Sequence, residues 1–467
     1  MPWRRSPASR ARLASAPVSP IPVSYQQEQH LRAFRSHTAR GTEMARLNIP
    51  AWDMPGRCDV RAMSHVINAY LRRHDTYHST FEFENGNIFR RTIADPSAIE
   101  FLPTAHGEMT VEQIRGHALA TTPETLEWDC FTFSAVQNAD HFTFYASVDH
   151  LHIDGMSAGL IFLDIHLRYQ DLVAGRAVPA PETAGYRDYT ERQRAHVADM
   201  TASSPEIKDW LSFAQEADGD WPSFPLSLGD TWSSPKGDFV TVEMLGDLET
   251  ESFDAACRDA GARFSGGVMA CAAIAERALT GKSVFRGFTP SDTRTPGVDT
   301  MSVGWFASLF PVTVPMGDGS FADAARAAQQ SFDANKAMAG VPFERVLELV
   351  PVDELGIKLP TKSAMMVSFM DFRKIPVTAL WEETGFGIYG DNLSHGGINM
   401  WINRHAGSTT VTVSFPDNPE ARHSVHRYVA ALSLAFADVA KTTTDWIDQL
   451  THHANTSDSC AVCSGRR

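Results

Sequence analysis

The stretch that decides the fold is "HFTFYASVDHLHIDGMSAGLIFLDIHL", residues 141–167. Its first part alternates. Phe142, Phe144, Ala146, Val148 and His150 fall on one face of an extended strand, with Thr143, Tyr145, Ser147 and Asp149 on the other. Its second part changes period, because Met156, Leu160, Leu163 and Leu167 recur at helical spacing. Strand, tight turn and helix thus follow in quick succession, and His150 leaves the sheet on its apolar side. A histidine presented there stays neutral near pH 7 and can accept a proton from an attacking group. Asp154 needs a cation beside it to be tolerated in such surroundings. Gly155 permits a turn conformation closed to other residues. Two plainer readings stay open: a satisfied structural histidine, and a metal site begun by the His150/His152 pair. His166 or Asp149 would then have to complete the ligand set, and neither has telling spacing, so no metal is assigned.

Working outward, helical periodicity marks 25–40, 60–73, 157–173, 251–261, 321–335 and 421–440. Between them lie strand-like runs rich in β-branched and aromatic residues: "HSTFEFE", "DFVTVEML", "SLFPVTVP", "SAMMVSFMDF", "INMWINRH" and "STTVTVSFP". Helices and strands interleave in both halves, which predicts an α/β protein with mixed sheets. The segment 201–236 carries many Pro, Ser, Asp and Gly residues and reads as the boundary between two such units. The expected organisation is a loose basic arm over 1–22, one subdomain over 23–215, a second over 216–445 and a flexible tail over 446–467.

Bulk composition narrows the function. With 467 residues, 43% of them hydrophobic, the chain can build two packed cores. A formal charge of -15 repels nucleic acid and anionic lipid, so a polyanion-binding role is disfavoured. No window approaches the roughly 18 continuous apolar residues of a membrane span. Cys58, Cys130, Cys257 and Cys271 are scattered singly, as in a protein of a reducing compartment, and Cys460/Cys463 form a C-x-x-C without a second pair at zinc spacing. The expectation is a cytoplasmic protein, in contact with the inner membrane face at most peripherally.

The motif Asp149-His150-Leu151-His152-Ile153-Asp154-Gly155 resembles the His-His-x-x-x-Asp-Gly signature of the condensation-like, chloramphenicol-acetyltransferase-like acyltransferase superfamily, with Asp149 in place of the first histidine. "VSYQQEQHLRAF" (23–34), "RRHDTYHSTFEF" (72–83), "YRDYTERQ" (186–193), "SDTRTP" (291–296), "GWFASLFPVTVP" (304–315) and "VPFERVLEL" (341–349) resemble six further family segments in the family's order, with Arg192 where tryptophan usually sits. Only "MDFRKIP" around Asp371 is similar to the family's Asp-Phe-Gly-Trp-Gly motif. The closest likeness is to the polyketide-synthase-associated acyltransferases of mycobacteria, which act on trehalose lipids.

This resemblance implies two chloramphenicol-acetyltransferase-like subdomains in a pseudo-dimer, with a central channel and His150 at its middle. It implies an O-acyltransferase that moves a long-chain acyl group from a thioester, acyl-CoA in the first instance, to a hydroxyl of trehalose or a related glycolipid. His150 would be the base and Asp154 the organiser of its turn, paired with Arg294. Gly155 would support the turn, and Ser368, Gly304 and Trp305 become candidates for the oxyanion or substrate surroundings. The expected protein is a monomer without a covalent acyl-enzyme or a resident cofactor. Its expected partners are the donor, the acceptor and a polyketide synthase or its carrier protein. Two other readings remain: condensation-type transfer from a carrier protein to another alcohol or amine, and a catalytically silent scaffold. Retention of His150, Asp154 and Arg294 speaks against the scaffold.

Overall fold

The computed structural model describes residues 1–176, 182–216, 221–231, 236–317, 319–350, 364–374, 378–394 and 396–440. The expected tail over 446–467, with Cys460 and Cys463, lies outside them. Seven strands belong to the first half: β1 (Pro2–Arg5), β2 (Leu47–Pro55), β3 (Ser79–Glu84), β4 (Asn87–Thr92), β5 (Phe101–Pro103), β6 (Phe131–Gln137) and β7 (His141–Asp149). Seven follow in the second: β8 (Gly237–Leu245), β9 (Val284–Asp292), β10 (Ala307–Pro315), β11 (Met366–Asp371), β12 (Gly387–Gly390), β13 (Asn399–Arg404) and β14 (Thr409–Pro416).

They build two six-stranded sheets, ordered β12-β2-β7-β6-β1-β5 and β10-β9-β11-β13-β14-β8, plus the β3–β4 hairpin. β7 lies inside the first sheet between β2 and β6, antiparallel to both. That position explains its continuous burial from Phe144 to Asp149, since both faces and both edges are covered. In the second sheet β11 runs parallel to its neighbours β9 and β13. Each sheet backs its own core. Trp52, Met63, Ile67, Tyr70, Phe133 and Phe144 are among the residues of one, and Phe253, Val268, Phe310, Val411 and Phe436 of the other.

The helices form for local reasons that can be named. The helix Val60–Arg73 is capped by Asp59, which accepts from the amides of Arg61 and Ala62 at 2.9 and 3.0 Å. It buries Met63, Val66, Ile67, Tyr70 and Leu71 on one stripe and ends on two arginines.

Three expectations about organisation are corrected. Residues 1–22 are not a loose arm. β1 fills the gap between β5 and β6, Trp3 is buried with its Nε1 on Ser64 Oγ at 2.8 Å, and Arg4 and Arg5 are engaged by Thr121 and Asp129. The segment after 200 is not all linker. The helix Pro205–Gln215 puts Ile207, Trp210 and Phe213 into the second core, which moves the physical boundary upstream of 215. Nor do the halves exchange at a single point, because β12 pairs with β2 in the first sheet and Trp381, from the helix Thr378–Thr384, packs in the first core.

Candidate active site

β7 stops at Asp149, and His150–His152 form one 3-10 turn before Asp154 caps the helix Gly155–Val173. The alternation of the strand therefore does not carry through the turn. His152 is the ring that goes into the core, against Tyr77 and Phe131, with Nδ1 bonded to Thr76 Oγ1 at 3.0 Å. His150 is half-buried and turns toward the second half, where the indole of Trp305 lies 3.8 Å from its ring centroid. The two histidines thus have different surroundings and do not converge on one point. Among the described residues no group of three His, Cys, Asp or Glu side chains gathers as metal ligands.

Burial, with a further push from His30, lowers the His150 pKa to about 4. The ring is neutral at pH 7. Its Nδ1 is sealed from solvent with no partner in another residue, and the ring's bond to its own backbone works in the opposite direction, raising the pKa. Nε2 is not among the sealed atoms and makes no hydrogen bond, so it is the nitrogen available to a substrate.

Asp154 and Arg294 meet in the two-pronged geometry of a carboxylate and a guanidinium, Nη1 to Oδ2 and Nη2 to Oδ1, both at 3.1 Å. The side chains are 3% and 5% exposed, so this ion pair is buried. Asp154 also accepts from the amides of Ser157 at 2.7 Å and Phe306 at 2.8 Å. Burial alone would raise its pKa, but the charge and hydrogen bonds of Arg294 outweigh that and hold it below the usual carboxylate range. Burial likewise works against the guanidinium, and Asp154 and Asp292 more than offset it. The Ser157 hydroxyl completes the knot, donating to Gly304 O at 2.8 Å and accepting from Gly304 N at 3.1 Å and Arg294 Nη2 at 2.8 Å. Asp154 and Ser157 come from the first half; Arg294, Gly304 and Phe306 come from the second.

Gly155 sits in the first turn of its helix without positive φ, so the expected special turn conformation is absent. Nor does space require it, because a Cβ there would stand at ordinary contact distance, 3.6 Å from Met370 Cε, on an exposed surface. Gly304 allows a close approach: a Cβ would fall 2.2 Å from the Tyr186 ring. Tyr186 then donates to Trp305 O at 2.8 Å, fixing the backbone that carries the indole. That indole lies against the His150 ring, 3.8 Å between centroids. Ser368 is buried on β11, paired in register with Trp401, and shares a strand face with Met370; its hydroxyl makes no hydrogen bond. Asp371 is held by Arg373 at 2.8 Å through both oxygens. Arg192 spans to the buried Asp299 at 2.6 and 2.7 Å.

Four residues around this site were not anticipated: His30, Arg46 and Thr125, which converge on Asp149, and Ser157. Only Ser157 carried a signal, as the third residue after a helix-capping aspartate.

Two six-stranded sheets, with the histidine turn of the first half tied to the second by an aspartate–arginine pair, define a class, and sequence comparison agrees with it. Residues 48–357 match the condensation domain family, and the chain belongs to that family. Its relatives are acyltransferases. Trehalose-2-sulfate acyltransferase PapA2 of Mycobacterium tuberculosis (strain ATCC 25618 / H37Rv) is 46% identical over 441 residues, 94% of each chain. Acyltransferase PapA3 of Mycobacterium tuberculosis (strain CDC 1551 / Oshkosh) is 44% identical over 445 residues, 94% of this chain and 93% of that one. A solved structure of a PapA2 acyl transferase superposes with a TM-score of 0.91 at 46% identity, covering 94% of this chain and 96% of the other. The condensation domain of the monacolin K polyketide synthase MokA shares the fold at 15% identity, with a TM-score of 0.69 over 91% of this chain and 98% of that one.

Proposed function

We propose that the protein transfers a long-chain acyl group from a thioester, acyl-CoA in the first instance, to a hydroxyl of trehalose or a closely related glycolipid, with His150 as general base. The observation that carries this reading is the place of His150, at the seam where the first half's histidine turn meets Trp305 of the second, its Nε2 without a partner among the described residues and its burial favouring the neutral ring. Neutral His150 takes the proton of the acceptor hydroxyl as its oxygen attacks the thioester carbonyl. The tetrahedral intermediate collapses, the carbon–sulfur bond breaks, and the departing thiolate recovers the proton from the imidazolium. No covalent acyl-enzyme is required. Asp154 and Arg294 act on the turn that carries the base. The amides of Gly155 and Met156, without backbone acceptors at a helix N-terminus, are the donors best placed to meet the developing oxyanion. The Ser368 hydroxyl is a second candidate.

The acceptor is argued from the relatives, among them a trehalose-2-sulfate acyltransferase matching nearly the whole chain. The same reading makes the protein a cytoplasmic monomer, peripheral to the membrane at most, that receives its donor as acyl-CoA or from a polyketide synthase's carrier protein. No described helix is long and apolar enough to cross a membrane. The test is a thiol-release assay with palmitoyl-CoA against a panel of alcohols that includes trehalose and its 2-sulfate. Release that depends on a trehalose-type acceptor supports the assignment, and release indifferent to the alcohol contradicts it.

A further inference from the structure

Asp149, standing where the family motif has a histidine, is fully buried and accepts four hydrogen bonds. They come from His30 Nε2 at 2.7 Å, Arg46 Nη1 at 3.0 Å, Thr125 Oγ1 at 2.6 Å and Leu151 N at 3.0 Å. Arg46 Nη1, 3.0 Å away, offsets the charge of the buried carboxylate. A carboxylate only accepts, so Nε2 of His30 donates to Asp149 and Nδ1 is the ring nitrogen left for another partner. That Nδ1 makes no hydrogen bond and is not among the sealed polar atoms. The His30 ring meets the Trp305 indole edge-on at 5.6 Å and lies 6.3 Å from the His150 ring, centroid to centroid. Two imidazoles from different elements therefore flank one indole, and each keeps one ring nitrogen free.

We propose that His30 is a substrate-binding residue, whose Nδ1 hydrogen-bonds a second hydroxyl of the acceptor, adjacent to the hydroxyl that gives its proton to His150. The inference rests on the reading of His150 as base and narrows the acceptor to a vicinal diol, as in a sugar. Two hydrogen bonds of about 2.8 Å to neighbouring hydroxyls bridge rings at this separation. A mono-alcohol can satisfy only one of them. Asp149 explains itself on this account: a carboxylate can only accept from Nε2 of His30 and so leaves Nδ1 to the substrate, whereas a histidine at 149 could either donate to it or accept from it.

The experiment compares wild type, His30→Gln and His150→Ala in steady-state transfer from palmitoyl-CoA to trehalose. Glutamine keeps a donor within reach of Asp149 and removes Nδ1. The expected result for His30→Gln is a KM for trehalose raised about tenfold, as for one lost hydrogen bond. Its KM for palmitoyl-CoA and its melting temperature should stay those of wild type. An unchanged trehalose KM overturns the proposal, and so does an equal rise in both KM values. His150→Ala separates the two readings, since retained turnover there removes the base while leaving the His30 result to stand on its own. A wild type that does not use trehalose or another diol overturns both.

Discussion

Separated by one residue, His150 and His152 share a property although their neighbours differ. Burial leads in both, and each pKa falls to about 4, against about 6.5 in an unfolded chain. Between those values the unfolded chain binds protons that the folded rings refuse, so stability is present above the window and is lost as pH falls through it. Melting temperature should therefore drop on acidification from pH 7 to 4.5. The drop should be smaller in His152→Asn, which removes one of the two titrations, and an identical slope in that variant would contradict the assignment. The Asp154–Arg294 pair makes a second prediction. Removing one partner of a buried pair costs about 3–5 kcal/mol because the other charge is left behind. Arg294→Ala should lose that much in urea denaturation, and Arg294→Lys should recover only part of it, lacking the two-pronged fork; an unaffected midpoint would mean that the pair is not holding the turn. His150, Asp154 and Arg294 were legible in the sequence because family segments carry them in order. His30 was not, since nothing in a polar helix points to a partner at position 149.

At the scale of elements, legibility followed the covering of faces. The helices Tyr25–Ala39, Val60–Arg73 and Phe321–Asn335 each have one face buried, and their predicted limits agree within a residue. β6, "FTFSAVQ", alternates Phe131, Phe133 and Ala135 with Thr132 and Ser134, a legible strand pattern that the expected strands nonetheless omit, and it is buried on both faces. β2, "LNIPAWDMP", is interrupted by two prolines and an aspartate that local rules count against a strand. β12 has four residues and gains its place by pairing with a strand more than 300 positions away, which no local pattern records. The helix Thr378–Thr384 brings that strand across. Its Trp381 packs on Phe386 at 4.7 Å and against Gly159, where a Cβ would stand only 3.0 Å from the indole. Trp381→Ala should cost about 3–5 kcal/mol and speed amide exchange at Gly387–Gly390 more than in β13. Uniform exchange rates would deny the helix this anchoring role.

For the whole molecule, the consequence of two sheets is a site that neither half contains. The first half supplies His150, Asp154 and Ser157, and the second supplies Arg294, Gly304 and Trp305. The seam was foreseeable from the order of family segments, but its tightness was not, because it depends on Gly304 letting Tyr186 approach and on Trp305 lying over His150. A base that activates the acceptor directly needs both substrates present before any bond breaks. Mass spectrometry after incubation with palmitoyl-CoA alone should therefore find the protein unmodified, and a stable acyl adduct would redirect the chemistry to a side-chain nucleophile. Everything in this account meets at one imidazole, so the most direct measurement is the single-turnover rate of acyl transfer from palmitoyl-CoA to trehalose in His150→Ala against wild type. With the folded state unchanged, the rate should fall about 10²–10⁴-fold, as expected for loss of a general base; a rate equal to that of the wild type would contradict it.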